Sequence, residues 1–209
     1  MRNAILILTL ALGACSSTPR GWDLESRSLP KVGVAIRASG GMHTGQMGAT
    51  LKVPRGVLQD TFSGTGTRSR IEVSKTLRNG RLELGVFVAR GETNYEGEDG
   101  SRAEGDVDTE DFGVVLRGYM VEGDLRPYVE VRGGVRKQTQ GSVVPGFEDV
   151  RLSGDGWLVG LGVGMEYTFC NYFGAFIQVD GEYAEVDIGS NFSSNTTEVG
   201  ISIGGVLRF

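Results

Sequence analysis

The chain is poor in cysteine, histidine and proline, with two, one and five among 209 residues. Two cysteines cannot build the disulfide framework of a small secreted scaffold. The single histidine, His43, lies among Gly and Thr with no local partner, and nothing resembles a nucleophile elbow. The expectation is therefore no enzyme, no cofactor and no metal site. Long apolar runs are missing too. The one apolar run, Ala4 to Leu12, is far short of the roughly 20 residues of a membrane-crossing helix. Positive charge is not in excess: the net charge is −5, which argues against nucleic acid as a partner.

What the chain does have is glycine, 34 residues of 209, and a period of two. The last strand shows it best. In TTEVGISIGGVLRF, Val199, Ile201, Ile203, Leu207 and Phe209 occupy alternate positions, and only Gly205 interrupts the apolar row. Alternation of this kind makes a strand with two unlike faces. A terminal strand leaves unpaired backbone groups unless it pairs with another, and closing the sheet onto the first strand removes that hazard.

Residues 1–14 have signal-peptide anatomy: Arg2, the apolar run, then Gly13 and Ala14. Leu12-Gly13-Ala14-Cys15 resembles a bacterial lipobox, which implies lipidation of Cys15, and the absence of Asp after it implies sorting to the outer membrane. Removing Arg2 with the peptide takes the charge from −5 to −6. Polar residues 15–30 read as a lipid-anchored tether, and 31–209 as the folded domain.

Eight alternating segments follow. Strands are expected at about 31–39, 68–78, 81–91, 109–121, 126–138, 156–170, 173–186 and in the last segment. Asn79-Gly80 is a tight-hairpin signal. Long connections are expected at 40–66, 92–108, up to 155 and at 187–195, alternating with short turns. Near the short turns lie Tyr119, Tyr128, Tyr167, Phe169, Tyr172, Phe173 and Phe209; near the long connections lie Phe112, Trp157 and Tyr183. Two aromatic girdles fit two membrane interfaces. The fold class expected is all-β, an eight-stranded antiparallel up-and-down transmembrane β-barrel.

The face opposite the apolar rows carries Arg37 on the first strand, Arg70 and Glu72 on the second, and Glu83 on the third. Arg117 follows on the fourth, then Glu130, Arg132 and Arg136 on the fifth. Glu166, Asp180, Glu182 and Arg208 complete it on the last three. The interior of eight strands is just wide enough for side chains to fill, so these charges are expected to pair into a lumen network. Gly160, Gly162 and Gly164 also face inward and leave room, so alanine at 164 is expected to cost little. The connection from Glu92 to Asp111 is acidic; divalent-ion binding there competes with a plain solvated loop, and the loop is favoured. Lys52, Arg55, Arg68 and Arg70 either meet lipopolysaccharide phosphates or simply keep the rim soluble.

The Arg126-Pro127-Tyr128 strand start, the glycine-rich sixth strand and the ending at Phe209 resemble the small outer-membrane barrels of the OmpA and OmpX/Ail type. The resemblance covers roughly 31–209. It implies a plugged polar lumen, exposed loops serving surface interaction or envelope integrity, and both termini in the periplasm of a Gram-negative cell. It also implies a C-terminal insertion signal, here Ile201, Ile203, Leu207 and Phe209. Implied partners are outer-membrane lipids and lipopolysaccharide, the barrel-insertion machinery, and a host or neighbour surface. A narrow small-solute channel and a lipocalin-like ligand-binding lipoprotein are the competing expectations.

Overall fold

A computed structural model describes residues 33–54, 56–77, 80–97, 105–141, 151–170, 172–189 and 191–209. The signal peptide, Cys15 and the tether lie outside the described residues. The strands are β1 (Val34–Val53), β2 (Gly56–Leu77), β3 (Leu82–Gly97), β4 (Gly105–Tyr119), β5 (Leu125–Gly141), β6 (Arg151–Cys170), β7 (Phe173–Ile188) and β8 (Phe192–Arg208). Each pairs antiparallel with the next, and β1 pairs with β8 to close the barrel. Val34 N–H donates to Phe209 O at 3.1 Å, and Phe209 N–H returns the bond to Val34 O at 2.9 Å. The last strand thus pairs with the first and leaves no sheet edge there.

The register sets the dimensions. Stepping from Gly40 to its successive cross-strand partners reaches Ser69, Arg90, Glu110, Lys137, Asp155, Asp187, Ser193 and then Thr50. One circuit therefore climbs ten residues along β1. Eight strands with that stagger tilt by about 40° and enclose a backbone cylinder of about 8 Å radius. That leaves no open pore once the inward side chains are in place.

The pleat sends apolar side chains outward on every strand. Ile71, Val88, Phe112, Val131, Leu161, Val163, Val179 and Ile203 are each about half exposed or more. A continuous apolar girdle of this size is far beyond the patches that soluble monomers show. The lipocalin-like arrangement, with apolar rows inside, is overturned by this orientation. Trp157 packs on Tyr183 at 5.4 Å, and Tyr167, Phe169 and Phe173 form a second aromatic group with centroids 5.0 and 5.9 Å apart. Trp157 and Tyr167 lie on one strand, ten residues apart; at this tilt they are about 25 Å apart along the axis, the height of a lipid-facing band. Gly205, the gap in the last apolar row, lies under Phe173, whose ring would be 3.8 Å from a Cβ there.

Three expectations change. The connections expected at 40–66 and 187–195 are strand for most of their length, and those at 92–108 and up to 155 are shortened too, because β3 runs to Gly97, β4 starts at Gly105, β5 runs to Gly141 and β6 starts at Arg151. β1 and β2 continue to Val53 and Gly56, and β7 runs to Ile188 and β8 starts at Phe192, with Gly189 at φ 75°. Both faces of these extensions are polar or glycine-rich, so no apolar period marks them, but neighbouring strands offer the ladder partners that hold them extended. Tyr119 and Tyr128 are not in a girdle: both are buried in the lumen, 5.7 Å apart edge to face. Gly164 has no spare room, because a Cβ there would collide with the Tyr128 ring and lie 2.8 Å from Ile177 O.

Candidate functional site: the lumen ion-pair network

Strand phase brings all twelve expected charges into the lumen. Eleven are buried, and Asp180 is 16% exposed. Four more join them: Arg68, Asp111, Arg126 and Glu198. The ion-paired interior thus holds eight arginines and eight carboxylates among the described residues. No lysine among the described residues takes part. Arginine offers five donors in a rigid fork and can bridge several carboxylates at once.

Near the chain ends, Glu166 accepts from Arg126 at 2.7 Å and Arg208 at 2.5 Å. Glu83 lies 2.6 Å from both Arg37 and Arg208. Tyr119 Oη accepts from Arg37 at 2.7 Å, and Arg126 stacks 3.9 Å over its ring. One tier up, Arg117 donates to both oxygens of Glu72 at 2.8 and 2.9 Å and also grips Glu130. Arg70 donates to Glu130 at 2.8 Å, while Tyr128 Oη donates to Gln178 at 2.9 Å. In the third tier, Arg132 holds Asp180 and Glu182. Arg136 donates to both oxygens of Asp111 at 2.7 and 2.9 Å. Arg68 donates to Glu182 at 2.7 Å and to Glu198 at 2.5 Å. Above it, Met47, Tyr95 and Val107 form an apolar lid against Phe62.

A cavity of about 40 Å³ remains between the second and third tiers, lined by His43, Arg68, Arg70, Arg132 and Asp180 among others. It is sized for a few waters, not for a solute. His43 is not a loop residue: it faces inward from β1, buried, with Nε2 2.7 Å from Thr93 Oγ1 and 3.8 Å from Glu198.

Two loop readings are corrected by this geometry. Arg68 and Arg70 are engaged inside the barrel and do not face lipopolysaccharide; Lys52 is exposed, and Arg55 lies outside the described residues. The acidic stretch is divided between two strands. Glu92 and Glu96 are on β3, Asp106, Asp108 and Glu110 on β4, and Asp111 points inward to Arg136. Glu98, Asp99 and Glu104 lie outside the described residues. No cluster able to hold a metal ion occurs among the described residues.

The signal for the four missed charges was parity. Arg126 shares its face with Glu130, Asp111 with Arg117, Arg68 with Arg70, and Glu198 with Arg208 across ten residues. Of the proposed insertion-signal residues, Ile201, Ile203, Leu207 and Phe209 are exposed on the outer face at 51, 67, 41 and 66%.

No family model matches the chain, and no curated protein matches it in sequence. Solved structures do. Neisserial surface protein A is similar over 84% of this chain and 97% of its own, with 17% identity and a TM-score of 0.55. The outer membrane protein OprG from Pseudomonas aeruginosa is similar over 87% and 98%, with 14% identity and a TM-score of 0.51. At such identities the likeness is one of fold. This chain has the fold of the small eight-stranded outer-membrane β-barrels.

Proposed function

We propose that the protein is a non-enzymatic outer-membrane barrel lipoprotein. Its lumen is a structural plug, and its projecting hairpins serve surface interaction or envelope integrity. The observation that carries this is the inversion of polarity, with an apolar girdle about 25 Å tall outside and sixteen mutually paired charges inside. Ion pairs that fill most of the bore hold the strands together and leave a cavity of about 40 Å³, too small for a passing solute. His43 and the Thr93 hydroxyl 2.7 Å from it are both buried in the wall of the lumen, closed to a solvent-borne substrate, which favours a non-enzymatic role.

In this reading Cys15 carries acyl chains, both termini are periplasmic, and Ile201, Ile203, Leu207 and Phe209 present the outer face of β8 to the insertion machinery. The lipid partners are those of the outer membrane, lipopolysaccharide included, and a host or neighbour surface meets the hairpin tips. Planar-bilayer recording tests the plug against the narrow-channel alternative: the wild type is expected to give no discrete conductance, and regular steps would make it a channel. Intact-mass measurement tests the anchor, with a mature chain starting at acylated Cys15 expected and an unmodified N-terminus ruling it out.

A further inference from the structure

His43 is the single histidine of the chain, and one of its ring nitrogens is left over by the plug. The side chain faces the lumen from β1 and is 7% exposed. Its Nε2 lies 2.7 Å from Thr93 Oγ1 and 3.8 Å from Glu198 Oε1. Its Nδ1 is buried and has no hydrogen-bond partner among the described residues. Such an atom is uncommon in a folded interior and calls for a reason.

Charge supplies one. In the third tier Arg68, Arg132 and Arg136 pair with four carboxylates, Asp111, Asp180, Glu182 and Glu198. The tier is one cation short, and a proton on His43 provides it. The charged and titratable groups on the surrounding strands are Arg68 on β2, Tyr95 on β3, Asp111 on β4, Arg136 on β5, Glu182 on β7 and Glu198 on β8. The inner face of β6 carries no charge between Gly154 and Gly164.

Glu198 is where this tier meets the apolar lid. Its Oε2 accepts from Arg68 at 2.5 Å and lies 3.6 Å from Arg136, while its Oε1 accepts from the Tyr95 hydroxyl at 3.1 Å. Tyr95 packs with Met47 and Val107 in the lid. His43 and Tyr95 therefore compete for the same oxygen. A neutral imidazole leaves that oxygen to Tyr95. An imidazolium brings a full positive charge to its N–H, and the carboxylate favours it over a neutral phenol.

We propose that His43 is a proton sensor that unfastens the lid in mildly acidic surroundings. A proton taken from solvent completes the imidazolium, whose Nε2–H closes on Glu198 Oε1. The Tyr95 hydroxyl gives up that oxygen, and the lid loses its bond to the tier. Loss of the proton at neutral pH returns Glu198 Oε1 to Tyr95. Imidazole is the side chain whose charge ordinarily changes between about pH 5 and 8. This regulation rests on the plug reading above, since the bore must be closed for the lid to matter.

Nuclear magnetic resonance of the whole barrel in detergent micelles tests it, because one histidine gives one set of ring signals. The ring is expected to take up one proton between about pH 8 and 5. The Met47 methyl signal, assigned by its loss in Met47→Leu, is expected to shift with the same midpoint. The methyl of Met42, on the outer face and 68% exposed, is expected to stay in place. In Tyr95→Phe the Met47 signal stands at its acid position already at pH 8, and in His43→Gln it keeps its neutral position down to pH 5. A ring that stays neutral at pH 5, or a Met47 signal that does not follow the ring, overturns the sensor. So does a Met47 shift that persists in His43→Gln, or a Tyr95→Phe barrel that keeps the wild-type pH dependence. The wild-type titration decides by itself if His43→Gln does not fold. Bilayer recording at pH 8 tells this apart from the plug reading. Discrete conductance there refutes the plug and the sensor with it; a silent barrel whose Met47 signal ignores pH refutes the sensor alone.

Discussion

Arg117 shows how much one side chain carries here. From β4 it reaches Glu72 on β2, Glu83 on β3 and Glu130 on β5, and its guanidinium lies 4.9 Å from the Tyr128 ring. Removing it leaves three buried carboxylates short of a cation. Arg117→Ala is expected to cost about 3–5 kcal/mol, read as a lower urea midpoint of the barrel refolded in vesicles. Arg117→Met with Glu72→Met is expected to recover part of that loss, because the pair is removed along with its desolvation cost. A double variant no more stable than the single one contradicts that account. Gly164 makes the opposite point about room. Gly164→Ala forces the Tyr128 ring aside and is expected to cost about 1–3 kcal/mol, whereas Gly118→Ala, whose nearest neighbour is Val129 at 3.9 Å, stays within about 0.5 kcal/mol. Equal effects at the two glycines count against the packing argument.

At the scale of one element, β6 is the best test of the inverted polarity. Val159, Leu161 and Val163 point outward and are about half exposed or more, while Gly160, Gly162 and Gly164 point inward toward Arg132, Gln178 and Tyr128. With Cys170 replaced by Ser, single cysteines at 159, 161 and 163 are expected to react with a lipid-phase label, and cysteines at 160, 162 and 164 to stay unlabelled. The reverse pattern would turn the barrel inside out. Val163→Arg near the bilayer midplane is expected to cost about 2–4 kcal/mol, measured by the same urea titration.

For the whole molecule, β1 and β2 form the longest projection among the described residues, with 20 and 22 residues. Their outer halves lie above the apolar girdle, and Met47 and Phe62 are the last pair to pack on the lid. Deleting residues 49–60 leaves that pair in place and is expected to give a barrel that still inserts, with flotation and far-UV circular dichroism of the remaining strands unchanged. Loss of insertion would show that the hairpin stem is part of the membrane-embedded structure.

The alternation of apolar and polar residues was enough, with no structure, to count eight strands, to choose a closed barrel and to put twelve charges on one wall. A period of two leaves each side chain only two directions, and one of them must meet lipid. The same parity applied one step further would have brought in Arg68, Asp111, Arg126 and Glu198, and would have moved Tyr119 and Tyr128 from the girdle to the lumen. Other features were beyond any reading of one strand at a time. The reach of β1 and β2 to Val53 and Gly56 depends on ladder partners supplied by β8 and by each other, because Gly, Thr and Ser carry no period. The β5–β6 register decides that Arg126 meets Glu166 and that Tyr128 occupies the space Gly164 leaves; the ten-residue stagger exists only in the closed register, and it sets the tilt that puts Trp157 and Tyr167 about 25 Å apart along the axis. Face is a local property of a strand and neighbour a property of a strand pair; tilt and height belong to the barrel, because they are set by eight registers summed around a ring.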